Sequence, residues 1–186
     1  MCMSPLFPGE HLQNMITLTP SKPDVKDEGL YDRYADVLRV LKEAFGDRLK
    51  TVVLFGSQAR DEGRPGSDHD LYLVIEDLAE KPLARLREVR MPLLPILHRL
   101  PGAIGFIAKT PEEFEENLTP LLLDVCADGI CLYGEDYFEP FRRRALAAIE
   151  EAGLQRTRSG NSWKWTFPKI SDRNWELTWD GYREFS

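Results

Sequence analysis

Three cysteines, three histidines and no apolar run near the roughly 20 residues of a membrane-spanning helix set the first limits on this 186-residue chain. Cys2, Cys126 and Cys131 are odd in number and match neither a disulfide framework nor a zinc pattern. They fit a reducing compartment, with Cys126 and Cys131 expected as small buried side chains rather than a redox pair. The N-terminus lacks a basic segment followed by an apolar core, so no secretory signal is expected and the cytoplasm is the default. No Ser/His/Asp spacing or nucleophilic-cysteine signature supports a hydrolase. Acidic residues are missing altogether between Glu88 and Glu112.

Positive charge is also scarce until the end of the chain. Residues 1–140 carry a net charge of −10 and residues 141–186 one of +3, for an overall −7. That balance argues against broad electrostatic binding to nucleic acid. Arg142, Arg143, Arg144, Arg156, Arg158, Lys164, Lys169 and Arg173 make the tail the one basic segment, read either as solvated charges or as a phosphate-binding patch. The apolar share of 42% and charged share of 30% are those of a globular domain, and the length suits one domain with an appendage.

Three regions follow from the pattern. Residues 1–24, with Pro5, Pro8, Pro20 and Pro23 and no sustained periodicity, read as a loose leader. Residues 25–153 alternate helical and strand patterns, predicting a small mixed α/β (α+β) sheet flanked by helices. A helix stripe (Leu30, Tyr34, Val37, Leu38, Leu41, Phe45) precedes a buried strand at 52–55 and a second strand near 68–75. A helix is predicted over 81–90, before Pro92 and Pro95 make continuation costly. A strand at 103–108 leads to a helix with a capping box at Thr110 and Glu113 that runs towards Asp128, where Gly129 stops it. A strand at 130–133 and a helix at 137–152 complete the domain. Residues 154–186 hold all four tryptophans, and Trp163, Trp165 and Phe167, then Trp175, Leu177 and Trp179, alternate with polar residues as strands of a β-appendage. Their rings either form a base-stacking or partner surface or bury one face of the appendage; the second is expected.

The chemistry concentrates between Thr51 and Glu76. Gly56 and Ser57 stand where strand meets helix. Glycine lets backbone N–H groups approach a phosphate, the Ser57 hydroxyl can donate to it, and a helix start favours an anion. Arg60, about one turn on, is placed to reach the same anion. Asp68 and Asp70 project to one strand face at about 3.3 Å of rise per residue, roughly 6.6 Å apart at Cα, and suit Mg²⁺, a hard ion that takes carboxylate, water and phosphate oxygens. His69 points to the opposite face and is expected in packing, as is His98, while His11 lies in the leader.

Gly-Ser-X-X-Arg, six intervening residues, then Ser-Asp-X-Asp-Leu between two strands resembles the polymerase-beta-like nucleotidyltransferase superfamily, in particular its minimal nucleotidyltransferases. Gly56, Ser57, Arg60, Ser67, Asp68, Asp70 and Leu71 carry the resemblance. It implies that Gly56, Ser57, Arg60 and Ser67 bind a nucleoside triphosphate, with ATP the expected donor, and that the catalytic Asp68 and Asp70 ligate Mg²⁺. It further implies transfer of a nucleoside monophosphate to a hydroxyl of a protein, RNA or small molecule. Minimal members often act beside a small helical partner, some as an antitoxin that adenylylates a toxin. Two departures stand out. Asp61 replaces a common glycine and is expected to alter the turn and bring negative charge near the phosphates. Gly105 occupies the place of a third carboxylate, for which Glu113, Asp172, Glu176 and Asp180 are candidate substitutes. The alternative function is therefore a catalytically degenerate nucleotide-binding or antitoxin-like protein, and the aromatic tail is expected to shape the acceptor site.

Overall fold

The computed structural model describes residues 28–99, 102–116, 118–159, 162–166 and 174–185. The expected leader, residues 1–24, lies outside them. A four-stranded mixed sheet forms the centre, in the order β3-β2-β1-β4. Its strands are β1 (Leu49–Phe55), β2 (His69–Ile75), β3 (Ile104–Lys109) and β4 (Ile130–Tyr133). β1 runs antiparallel to β2 and β4, and β2 runs parallel to β3.

The near-continuous apolar runs of β1 and β2 follow from burial on both faces. Alternate side chains serve two cores. Val52, Leu54, Leu71 and Leu73 pack against α1 (Glu28–Phe45) and α3 (Pro82–Leu93). Val53, Tyr72 and Val74 pack against α4 (Pro111–Glu116), α5 (Pro120–Asp128) and α6 (Glu135–Glu151). The short α2 (Gly56–Ala59) joins β1 to the loop before β2. Among the described residues, no helix is long and apolar enough to cross a membrane.

Three details of the helices differ from the sequence expectation. The helix expected to run unbroken from Thr110 to Asp128 is two: the capping box forms, with Glu113 accepting from Thr110 N at 3.1 Å, but Thr119 restarts the chain. Its side chain accepts from Leu122 N and its extended backbone (ψ 160°) is the conformation that Pro120 imposes on its predecessor. Helix α3 passes through Pro92 to Leu93 and then tightens into a 3-10 segment, Leu94–Arg99. Helix α6 starts two residues early, at Glu135, because the Gly134 carbonyl accepts from Tyr137 N and Phe138 N.

The tail forms strands, as the alternation requires, but in two separate hairpins. β5 (Gln155–Ser159) pairs with β6 (Ser162–Thr166), and β7 (Asn174–Thr178) with β8 (Gly181–Phe185). Phe167 lies outside the described residues. Trp179 sits in the β7-β8 turn, not on a strand, and is buried against Phe114 and Phe141 at ring distances of 5.3 Å each. It anchors the second hairpin on α6, where Arg144 Nε donates to the Trp179 carbonyl.

Phe114 is fully buried and touches Tyr72, Phe141 and Trp179. Phe114→Ala is expected to destabilise the fold by about 3–5 kcal/mol in urea unfolding. A loss below about 1 kcal/mol would show that α4 is not part of the second core.

Candidate nucleotide and metal site

The register of three strands builds the site. Phe55 on β1 faces Asp70 on β2, and Asp70 faces Gly105 on β3. Position 105 is thus directly beside Asp70, which is where a third carboxylate was expected. A Cβ on Gly56 would stand 2.6 Å from one Asp70 oxygen, and a Cβ on Gly105 would stand 2.9 Å from the other. Both carboxylate oxygens occupy space that exists because their neighbours are glycines. Gly56 is required a second time by its φ of +76°.

Asp70 is half-buried, and Asp68 is exposed one residue before β2 begins. Burial raises the Asp70 carboxyl above its ordinary range, and the negative charge of Asp68 pushes it further, against smaller opposing effects of His69 and Arg60. A half-buried carboxylate with a second carboxylate two residues away is donor chemistry suited to a hard divalent cation. Asp68 and Asp70 are the residues that could hold Mg²⁺ here. Among the described residues no third acid, histidine or cysteine joins them.

Of the expected substitutes, Glu113 is committed to the capping box and to Arg85 at 2.6 Å, beyond the far end of β3. Asp180 pairs with Arg144 at 2.6 Å, and Glu176 lies on β7 opposite Arg183. None of these three reaches Gly105, and Asp172 lies outside the described residues.

The other motif residues have local partners. Ser67 Oγ accepts from Arg64 N at 2.8 Å while Ser67 N donates to the Arg64 carbonyl, closing the loop before Asp68. Ser57 is the second residue of α2, a single turn of four residues, so what it can offer an anion is a hydroxyl and backbone N–H groups rather than a helix dipole. Arg60 does not extend freely towards the carboxylates: it pairs with Glu62 at 3.0 Å and Asp128 at 3.5 Å. Asp61 adopts φ +56°, the left-handed conformation a glycine would take, and is exposed. His69 is buried on the opposite face, its Nδ1 2.6 Å from Tyr34 Oη, as packing predicted. Cys126 is buried, and its thiol is pushed up to about 12 by burial, the unreactive state expected of it.

Sequence reasoning missed Glu62, Asp124 and Asp128, which tie the motif to the tail. Arg156 pairs with Asp128 and, at 3.0 Å, with Asp124. Arg158 pairs with Glu62 at 3.4 Å, and Trp165 Nε1 donates to Asp124. The signal available was the opposite net charge of tail and core.

Because the folded Asp70 carboxyl titrates above its ordinary value, its favourable contribution is full at low pH and lost as pH rises through the folded value. Asp70→Asn should therefore raise the melting temperature at neutral pH without divalent cation, with the difference shrinking below the ordinary carboxylate range. A variant that melts lower at neutral pH would contradict this assignment.

A nucleotidyltransferase domain model matches residues 35–150. A Methanocaldococcus jannaschii relative named "Putative protein adenylyltransferase" is 28% identical over 114 residues, spanning 60% of this chain and 78% of its own. Among solved structures, a toxin-antitoxin crystal structure with AMP-PNP gives a TM-score of 0.43 at 16% identity, covering 64% of this chain and 86% of that one. A complex of tri-AMPylated Shewanella oneidensis HEPN toxin with MNT antitoxin gives 0.41 at 15% identity, covering 63% and 84%. With the Gly-Ser loop, the paired aspartates and a family match over more than half of its length, the chain belongs to the nucleotidyltransferase domain family.

Proposed function

We propose that this chain is an Mg²⁺-dependent nucleotidyltransferase that moves a nucleoside monophosphate from a nucleoside triphosphate, ATP by preference, to a hydroxyl on another protein. The observation that carries this reading is Asp70 lodged between Gly56 and Gly105, two residues after Asp68. A protein acceptor is favoured by the name of the archaeal relative, and the acidic core offers nothing to an RNA acceptor.

In this reading Asp68 and Asp70 would hold Mg²⁺, which supplies charge neutralisation at the phosphates when bound. Gly56 keeps the loop backbone close enough to Asp70 for a triphosphate to contact both. Ser57 donates its hydroxyl to a phosphate oxygen, and Arg60 exchanges a carboxylate for phosphate. The acceptor hydroxyl oxygen attacks the α-phosphorus, its bond to phosphorus forming as the bond to pyrophosphate breaks and its proton passing to solvent. Catalysis rests on positioning and electrostatics, since no side chain forms a covalent bond.

Gly105 favours a second reading, in which nucleotide binds but transfer is weak. A missing general base costs about 10²- to 10⁴-fold in rate. Pyrophosphate release from ATP and Mg²⁺ with candidate acceptor proteins separates the two. Release that falls at least about 100-fold in Asp70→Asn supports the transferase. Metal-dependent ATP binding with no release from any acceptor supports the second reading.

A further inference from the structure

The β5-β6 hairpin lies beyond the matched family region, yet it meets the motif directly. On its inner face, Arg156 stands opposite Trp165 and Arg158 opposite Trp163. The Arg156 side chain is only 9% exposed, with its guanidinium 5.1 Å from the Trp163 ring centre and 5.4 Å from that of Trp165. Arg158 also stacks on Trp163, at 5.7 Å. This face covers α5 and the loop after α2.

One oxygen, Asp128 Oδ2, is shared by Arg156 Nη1 and Arg60 Nη1. Glu62 is shared in the same way, with Arg60 on Oε2 and Arg158 on Oε1. Asp124 completes the cluster through Arg156. Three guanidiniums thus face three carboxylates. Resting on the nucleotide-site reading above, we propose that Arg156 and Arg158 are positioning residues that keep Asp128 and Glu62 neutralised while Arg60 leaves them for the triphosphate.

The physical reason is charge balance. If Arg60 moved to a phosphate with no hairpin present, two uncompensated carboxylates would remain beside a polyanion. Both would hold Arg60 back and repel the ligand. With Arg156 and Arg158 in place, Asp128 and Glu62 each keep a guanidinium after Arg60 departs, Arg156 being shared with Asp124. The hairpin thereby sets nucleotide affinity without touching the nucleotide, and the tryptophans hold its arginines in register.

The test is the dissociation constant of ATP with excess Mg²⁺, measured on the full chain by equilibrium dialysis. Arg156→Gln should weaken binding by about tenfold. Adding Asp128→Asn to it should restore affinity to within about twofold of wild type, because the carboxylate that Arg60 must leave is gone, while Asp124 keeps its bond from Trp165 Nε1. A merely structural arginine would not be rescued by removing a second partner. If Arg156→Gln fails to fold, Arg158→Gln and its rescue by Glu62→Gln decide, since Arg158 is 56% exposed at its side chain. Unchanged affinity in the single variants, or a double variant as weak as its parent, would overturn the proposal while leaving the nucleotide site intact. A wild-type chain that binds no ATP would instead sink the nucleotide-site reading, and the proposal with it.

Discussion

The proposed site depends on one half-buried carboxylate held between two glycines. Asp70 has Gly56 against one oxygen and Gly105 against the other, and each contact is set by sheet register rather than by a flexible loop. Both faces of the sheet are covered by helices, so the strand ends are where backbone and polar side chains can meet a ligand. The sheet delivers Asp70 there at the cost of desolvation and repulsion by Asp68. A bound cation would offset both penalties, which supports the proposal that this arrangement is a metal site.

The missing third acid gains meaning from the same register. Gly105 is the direct neighbour of Asp70 on β3, so a carboxylate there would enter the same space as the Asp70 oxygen. Glu113 and Asp180 are occupied by Arg85 and Arg144. In the proposed reaction Asp68 and Asp70 would work together with groups the acceptor brings.

Much of the central domain was legible because its signals are local. Strand β1 is announced by Val52 to Phe55, β2 by the run after Asp70, and the capping box by Thr110 and Glu113. The break at Thr119 was missed although Pro120 marks it, since the apolar periodicity of Leu121 to Val125 continues across it. Arg60 was assigned by spacing to the phosphate, and its actual partners were invisible because Glu62 is close in sequence while Asp128 comes from a distant helix. The tail shows the same division. Alternation predicted strands, but Trp179 left its strand for the core, drawn by Phe114 and Phe141. Which strand pairs with which depends on tertiary contacts that no short window contains.

The two hairpins therefore do different work. The second is fastened to α6 by a buried tryptophan, and the first lays arginines and tryptophans over the acidic side of α5 beside the motif. The account stands or falls on whether Asp68, Asp70 and the Gly56-Ser57 loop form one metal-nucleotide site. Calorimetric titration with ATP, GTP, CTP and UTP, with and without Mg²⁺, on the wild type and on Asp68→Asn, Asp70→Asn tests this most directly. Binding that requires Mg²⁺ and disappears in the double variant is the predicted result; binding that survives in the variant, or no binding to any of the four, would contradict it.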